Sequence, residues 1–308
     1  MKKTLLLILF IPIVILSQSL KVSNIDLITD YNQGGFYYPS FSNDGTKLLF
    51  TTVSYEGLWL YNLNSKSIAQ LNNYTGSGYN PAFTNDDSKI VFRIDDFSPE
   101  GRKSSLKVLN LDSKTETIII DFARDISEPK NVTGSEAVFL KSYFPQEFSF
   151  RENVVNDNVE QSTLLTFIEN MNLMLFKDGK KVKLNPLGDG NYLWASISPD
   201  RTKLLFTFAG KGSFVTDLDG NVIAELGYAN APQWSPDGNW IAYMVDKDDG
   251  EKVTSSEIFA MSSDGSKKVN LTNSPSLKAM YPAWSPGGDR IAFNTDDGRI
   301  HIINLVVE

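Results

Sequence analysis

The chain contains no cysteine and only one histidine, His301, in 308 residues. The missing cysteines exclude disulfides and lipid attachment through an N-terminal cysteine. With a single histidine they also exclude a structural zinc site, which draws its ligands from Cys or several His. A catalytic triad would have to use His301. The sequence sets no acid or nucleophile beside it, and it reads as a strand histidine with a local hydrogen bond. No Gly-x-Ser-x-Gly elbow occurs. Positive charge is in short supply, since 29 Lys and Arg face 37 Asp and Glu for a net charge of −8. Such a field repels a phosphate backbone and argues against nucleic acid as a partner. Helical periodicity is absent from residue 20 onward. The expectation is a chain that is not an enzyme and needs no cofactor.

Long apolar runs are also scarce, and the one present stands at the start. Lys2 and Lys3 precede an almost purely apolar stretch over residues 5–16, followed by Ser17 and Ser19. This is the pattern of a secretory signal peptide, assigned to residues 1–19. Twelve residues at a helical rise of 1.5 Å cover only about 18 Å, short of a hydrocarbon core of roughly 30 Å. The sequence therefore predicts an exported protein, periplasmic or secreted, that is not a lipoprotein and has no membrane span after cleavage.

What is abundant is a repeated phrase. Tyr38-Pro39-Ser40-Phe41-Ser42-Asn43-Asp44-Gly45 returns as Asn80-Pro81-Ala82-Phe83-Thr84-Asn85-Asp86-Asp87 and as Trp194-Ala195-Ser196-Ile197-Ser198-Pro199-Asp200. Two further copies start at Ala231-Pro232 and Tyr281-Pro282, and Glu128-Pro129-Lys130-Asn131-Val132 is a degraded one. Each copy is a short apolar strand running into a turn. Pro presets φ there, Asp bonds its own backbone and Gly takes the corner. Three more strand-like runs follow in each repeat, and four antiparallel strands per roughly 40–45 residues make a propeller blade. Spacings of 42, 37 and 50 residues separate neighbouring copies, and a gap of 114 separates the second copy from Ala195. With that gap taken as two repeats, the sequence predicts an all-β, six-bladed β-propeller of four-stranded antiparallel blades over residues 20–308.

Two irregularities refine the expectation. The last repeat stops after its third strand, and the run over residues 22–29 stands the right distance before the next Pro to supply the fourth. The N-terminal strand is thus expected to close the last blade, which protects edges a chain end would leave open. Residues 143–170 break the repeat and are expected as an insertion in blade three. Residues 164–168 would be an extra strand there or, alternatively, that blade's second strand.

Asp264-Gly265-Ser266, Asn270-Leu271-Thr272-Asn273 and Tyr281-Pro282-Ala283-Trp284-Ser285-Pro286-Gly287-Gly288 together resemble the TolB-like, WD-like propeller repeat. The resemblance covers about all of residues 20–308 and is weakest in blade three. It is to the propeller alone, because residues 1–19 leave no room for the α/β domain that precedes it in TolB. It implies an exported propeller that binds envelope proteins. The same propeller type accompanies the catalytic domain of prolyl oligopeptidase-like hydrolases, and nothing here matches that domain.

Two sets of loop residues are candidates for a site. Acidic turns at Asp95-Asp96, at Asp246, Asp248 and Asp249, and at Asp296 and Asp297 fall between second and third strands, on one face of a propeller. Their carboxylates are weak candidates for Ca²⁺, which takes oxygen ligands, although solvated turns explain them as simply. Aromatics collect where a fourth strand leads to the next blade: Tyr31, Phe36, Tyr37, Tyr38, Tyr74, Tyr79, Tyr192, Tyr228 and Tyr281. Tyr has an apolar body and a polar tip and suits interfaces, while packing between blades is the plainer use. Tyr38, Tyr79, Tyr192, Tyr228 and Tyr281 are the predicted partner-binding residues, with Phe144, Phe148 and Phe150 extending the patch. The function expected is a protein- or peptide-binding scaffold of the cell envelope. The alternatives are a carbohydrate-active or other hydrolytic propeller using loop carboxylates, and a non-catalytic sugar-binding module.

Overall fold

The computed structural model describes residues 19–30, 32–157 and 159–307, so the predicted signal peptide lies almost entirely outside the described residues. Seven antiparallel sheets follow one another along the chain. They form a propeller of seven blades, not the six expected. Blade 1 is typical, with strands Tyr37–Phe41, Lys47–Thr51, Leu58–Asn62 and Ser67–Asn72 paired in chain order from the channel outward. The gap of 114 residues holds three spacings of 38, close to the 37 and 42 seen elsewhere. Two consecutive blades lack the Pro-Asp-Gly corner, so no repeat phrase marks the third spacing. The residues expected as an insertion are instead the outer half of blade 3, Phe144–Ser149 and Val154–Asn156, and a strand of blade 4, Leu165–Glu169.

Each sheet buries both faces against its neighbours, so its second strand reads as a continuous apolar run rather than an alternating one. Leu48, Leu49 and Phe50 show this in blade 1, and Ile291, Ala292 and Phe293 in blade 7. Successive side chains point to opposite faces of a sheet. Leu48 and Phe50 thus pack on Ala292, Ile300 and Ile302 of blade 7, while Leu49 packs on Phe83, Ile90 and Phe92 of blade 2. Similar clusters fill the other joints, including Val138 and Leu140 of blade 3 against Leu165 and Phe167 of blade 4. The ring is closed by the N-terminal strand. Leu20–Leu27 is hydrogen-bonded to Ile300–Val307, from Leu20 opposite Val307 to Leu27 opposite His301. His301 itself is buried and stacks on Phe293 at 5.2 Å.

The repeated corner ties the first strand to the second. Ser42, Thr84, Ser198 and Ser235 each donate a 2.6 Å hydrogen bond to the Asp two residues on. The same hydroxyls accept the amides of Lys47, Lys89, Lys203 and Trp240. The residue after the Asp is left-handed in all four, at φ 67° for Gly45, 55° for Asp87, 60° for Arg201 and 70° for Gly238. The two non-glycine residues link blades. The Asp87 carboxylate accepts the amides of Asn43 and Asp44, and Arg201 donates to the carbonyl of Ser162.

Candidate functional site

A second backbone feature recurs at the opposite end of the first strands. Tyr38, Asn80, Trp194, Ala231 and Tyr281 occupy the same repeat position, and all five have positive φ, between 47° and 55°. In four of these blades the strand register shifts across this residue, a bulge. A left-handed conformation costs a non-glycine residue about 1–2 kcal/mol, and bulges re-aim side chains at the rims of barrels and sites. Here Asn80 and Trp194 line one cavity and the rings of Tyr38 and Tyr281 meet, while Ala231 is buried.

The two tyrosines at this position start a row that continues through side chains from other positions. The Tyr281 ring lies 4.5 Å from Tyr38, edge to face, and Tyr38 stacks on Tyr55 at 4.4 Å. Tyr55 meets Tyr79 edge to face at 5.2 Å, and the Arg93 guanidinium sits 4.8 Å from the Tyr79 ring. A buried side chain, Asn294, accepts the Tyr38 amide at 3.0 Å and fixes the start of this row. Burial, with the Tyr38 hydroxyl alongside, pushes the Tyr281 phenol up to about 12. Burial also raises Tyr38, Tyr55 and Tyr79. The row therefore stays neutral, its hydroxyls able to donate and accept, across the physiological range.

Beyond Tyr79 the row becomes an ion network. Arg93 is buried and lies 3.0 Å from one Asp95 oxygen through Nε and 3.1 Å from the other through a terminal nitrogen. It also reaches Glu128 of the next blade at 3.8 Å, and Glu128 pairs with Lys130 at 2.6 Å. Burial works against the Glu128 charge, but Lys130 and Arg93 outweigh it and hold the carboxyl below its ordinary range. Ser104 donates to Asp95 at 2.6 Å. Asp95 also fills the space beside Gly76, where a Cβ would come within 2.6 Å of a carboxylate oxygen at a φ of 80°. These residues wall a cavity of about 650 Å³ that continues past Tyr143, Phe167 and Ile168 to Trp194, whose ring is 43% exposed.

Of the predicted residues, Tyr38, Tyr79 and Tyr281 come together in this row. Tyr228 stands at the rim, 55% exposed, its hydroxyl 3.0 Å from the Asn230 amide group. Tyr192 is buried between blades 4 and 5, where its hydroxyl accepts the Leu187 amide and donates to the Gly188 carbonyl. Phe36 is buried, the Tyr37 hydroxyl donates to the Asp296 carbonyl, and Tyr74 donates to Glu116. Tyr31 lies outside the described residues. Phe148 is core, Phe150 packs against it, and Phe144 is exposed beneath the Lys181 ammonium. The acidic turns hold their own chain. Asp246 accepts Asn230, Asp248 and Asp249 cap the amides of Gly250 and of Glu251 and Lys252, Asp296 pairs with Lys278 and Asp297 with Arg299. Among the described residues no three of His, Asp and Glu are grouped to hold a metal ion.

The sequence reading did not find Tyr55, Arg93, Glu128, Lys130 or Trp194. Trp194 and Glu128 occupy the same repeat column as Tyr38 and Tyr281, so reading down that column would have reached them. Tyr55 sits in a turn with no counterpart in other blades, and Arg93 sits inside a strand.

No family model and no curated protein matches the sequence. Solved structures do match in shape. An oligogalacturonate lyase in complex with manganese superposes with a TM-score of 0.65 at 13% identity, covering 94% of this chain and 98% of that one. The oligogalacturonate lyase of Vibrio parahaemolyticus gives 0.63 at 12% identity, over 94% and 97% of the two chains. TolB of Acinetobacter baumannii gives 0.51 at 15% identity over 81% of this chain, which spans only 57% of TolB. These likenesses are to the propeller fold. Among the described residues no helix is long and apolar enough to cross a membrane.

Proposed function

We propose that the chain is an exported scaffold that binds a protein or peptide of the cell envelope at the channel mouth, on the row Tyr281–Tyr38–Tyr55–Tyr79–Arg93. The observation that carries this reading is the aromatic row itself, which starts at Tyr281 and Tyr38, both held in a strained left-handed conformation, and ends on the buried Arg93. Tyr and Arg are the residues that dominate interface energetics. The resemblance of the repeat to TolB-like propellers and the apolar run over residues 5–16 support the envelope setting. The test is crosslinking in the native cells with a C-terminal tag, beside a folded Tyr38→Ala, Tyr79→Ala, Tyr281→Ala variant. One dominant envelope protein, lost in the variant, is the expected result. Equal capture by both would retire this face.

The hydrolytic reading draws less support. Of the carboxylates near the cavity, Asp95 and Glu128 are engaged by Arg93 and Lys130 rather than open to a substrate.

A further inference from the structure

Blade 4 differs from the other six in having three strands among the described residues: Leu165–Glu169, Asn172–Lys177 and Lys180–Lys183. The position of the missing strand follows from the corner. Arg201 in the corner of blade 5 reaches back to Ser162, within the turn in which the Thr163 amide donates to Glu160. Residues 160–163 thus stand where a first-to-second-strand corner belongs, and Leu165–Glu169 is the second strand. The innermost strand is the one this blade lacks.

The free edge faces the channel. Asn170 and Met171 form a two-residue turn with φ of 50° and 67°, so Glu169 and Asn172 are a hydrogen-bonded pair. Alternation along the ladder then turns the amides and carbonyls of Thr166 and Ile168 away from the third strand, toward the empty inner position. Side-chain direction agrees. Ile168 packs toward blade 5 and Phe167 toward blade 3, as Ala292 and Phe293 do toward their next and previous blades. Among the described residues no backbone bond reaches Thr166 or Ile168 on that side. The equivalent strands elsewhere are paired, Leu49 with Ser40, Leu205 with Ser196 and Ala292 with Ala283. The cavity of about 650 Å³ extends to this edge, between Leu140 and Tyr143 on one side and Trp194 and Ala195 on the other.

The geometry points to strand addition: an extended peptide segment of the partner takes the place of the inner strand of blade 4, antiparallel to Leu165–Glu169. This rests on the scaffold reading and specifies how the partner is held. Unpaired backbone groups at a sheltered edge favour a strand that satisfies them. The occupant is an uncharged segment. The charges around the cavity are three cations, Arg93, Arg102 and Lys130, against three anions, Asp95, Asp125 and Glu128, and the slot itself is walled by apolar side chains. Its side-chain pattern is that of the chain's own inner strands, aromatic–Pro–small–aromatic, as in Tyr38-Pro39-Ser40-Phe41 and Tyr281-Pro282-Ala283-Trp284.

The probe is a labelled synthetic peptide with the sequence of residues 280–286, titrated against the whole protein by fluorescence anisotropy. Its control carries N-methyl groups at the residues standing for Ala283 and Ser285, the amides that meet the second strand in blade 7. The expected result is saturable binding, weakened about tenfold or more in the methylated peptide. Bound peptide should also slow amide exchange at Thr166 and Ile168 and leave Phe167 unchanged. Equal binding of both peptides, unchanged exchange at Thr166 and Ile168, or no binding at all would overturn strand addition. The scaffold reading is scored separately. If the tyrosine variant still loses its captured partner while the peptide fails, only strand addition falls.

Discussion

Blades 1, 2, 5 and 6 and the arc formed by blades 3 and 4 are made of the same antiparallel sheets but are fastened differently. In the first group a Ser or Thr hydroxyl is locked between an Asp two residues on and an amide five residues on. In blade 3 the corner is Thr133-Gly134-Ser135-Glu136, where the Thr133 hydroxyl accepts the amides of Ser135 and Glu136 and no Asp takes part. In blade 4 the Ser162 hydroxyl reaches only the exposed Glu160. Both arcs keep full apolar joints, so burial between blades closes the ring and the corner is not needed for closure. The inner strand is as short with the corner, Ala82–Phe83 in blade 2, as without it, Asn131–Val132 in blade 3; blade 4 alone has none among the described residues, and the cavity reaches its edge.

The comparison can be broken first in the joints. Phe206→Ala, at a fully buried site in blade 5, should cost about 3–5 kcal/mol. Phe167→Ala in blade 4 should fall at the low end of that range, because the ring already borders open space and its removal enlarges a cavity rather than creating one. Urea midpoints of the two variants measure the difference, and equal losses would show that the degenerate arc is packed as tightly as the rest. Arg93→Met tests whether the ion network fastens the joint of blades 2 and 3. Stranding the buried Asp95 should cost about 3 kcal/mol or more, and thermal unfolding should show it. A near-neutral result would mean that the network is not a fastening.

The corner itself should be worth less. Ser235→Ala removes the bond to Asp237 and leaves the buried Trp240 amide without its acceptor, for a loss of about 1–3 kcal/mol. Thr133→Ala in blade 3, half-buried and outside such a knot, should lose under about 1 kcal/mol by the same reasoning. The smallest effect is on acid stability. The Thr84 and Ser88 hydroxyls hold the Asp86 carboxyl at about 2, below its ordinary 3.8. A depressed folded value means that this contribution is complete above 3.8 and is lost as pH falls toward 2. The group is exposed and screened, so Asp86→Asn should lower stability only slightly at neutral pH, and the difference from the parent should vanish as pH falls toward 2.

The repeat phrase made the strands, the corners and the closing N-terminal strand readable in advance, because each rests on local turn chemistry written into consecutive residues. The blade count was misjudged where that chemistry fades, since apolar runs such as residues 164–168 do not say which sheet they join. Tyr38 and Tyr281 were visible because a repeat brings equivalent positions to one opening, and Tyr79 stands one residue before that position in blade 2. Tyr192 stands two residues before that position, level with the buried Phe36, and is core, its hydroxyl finding backbone partners within five residues. The Arg93–Glu128 pairing joins residues 35 apart on adjacent blades at 3.8 Å, and no local pattern announces it.

The pairing of residue 20 with residue 307 has a mechanical meaning. Tension applied between those two positions would load the closing ladder one bond at a time, as a zipper is opened, instead of shearing all its bonds together. The seven packed joints would be left untouched, and a modest pull on residues 20 and 307 would shed a single strand while the other sheets stay folded.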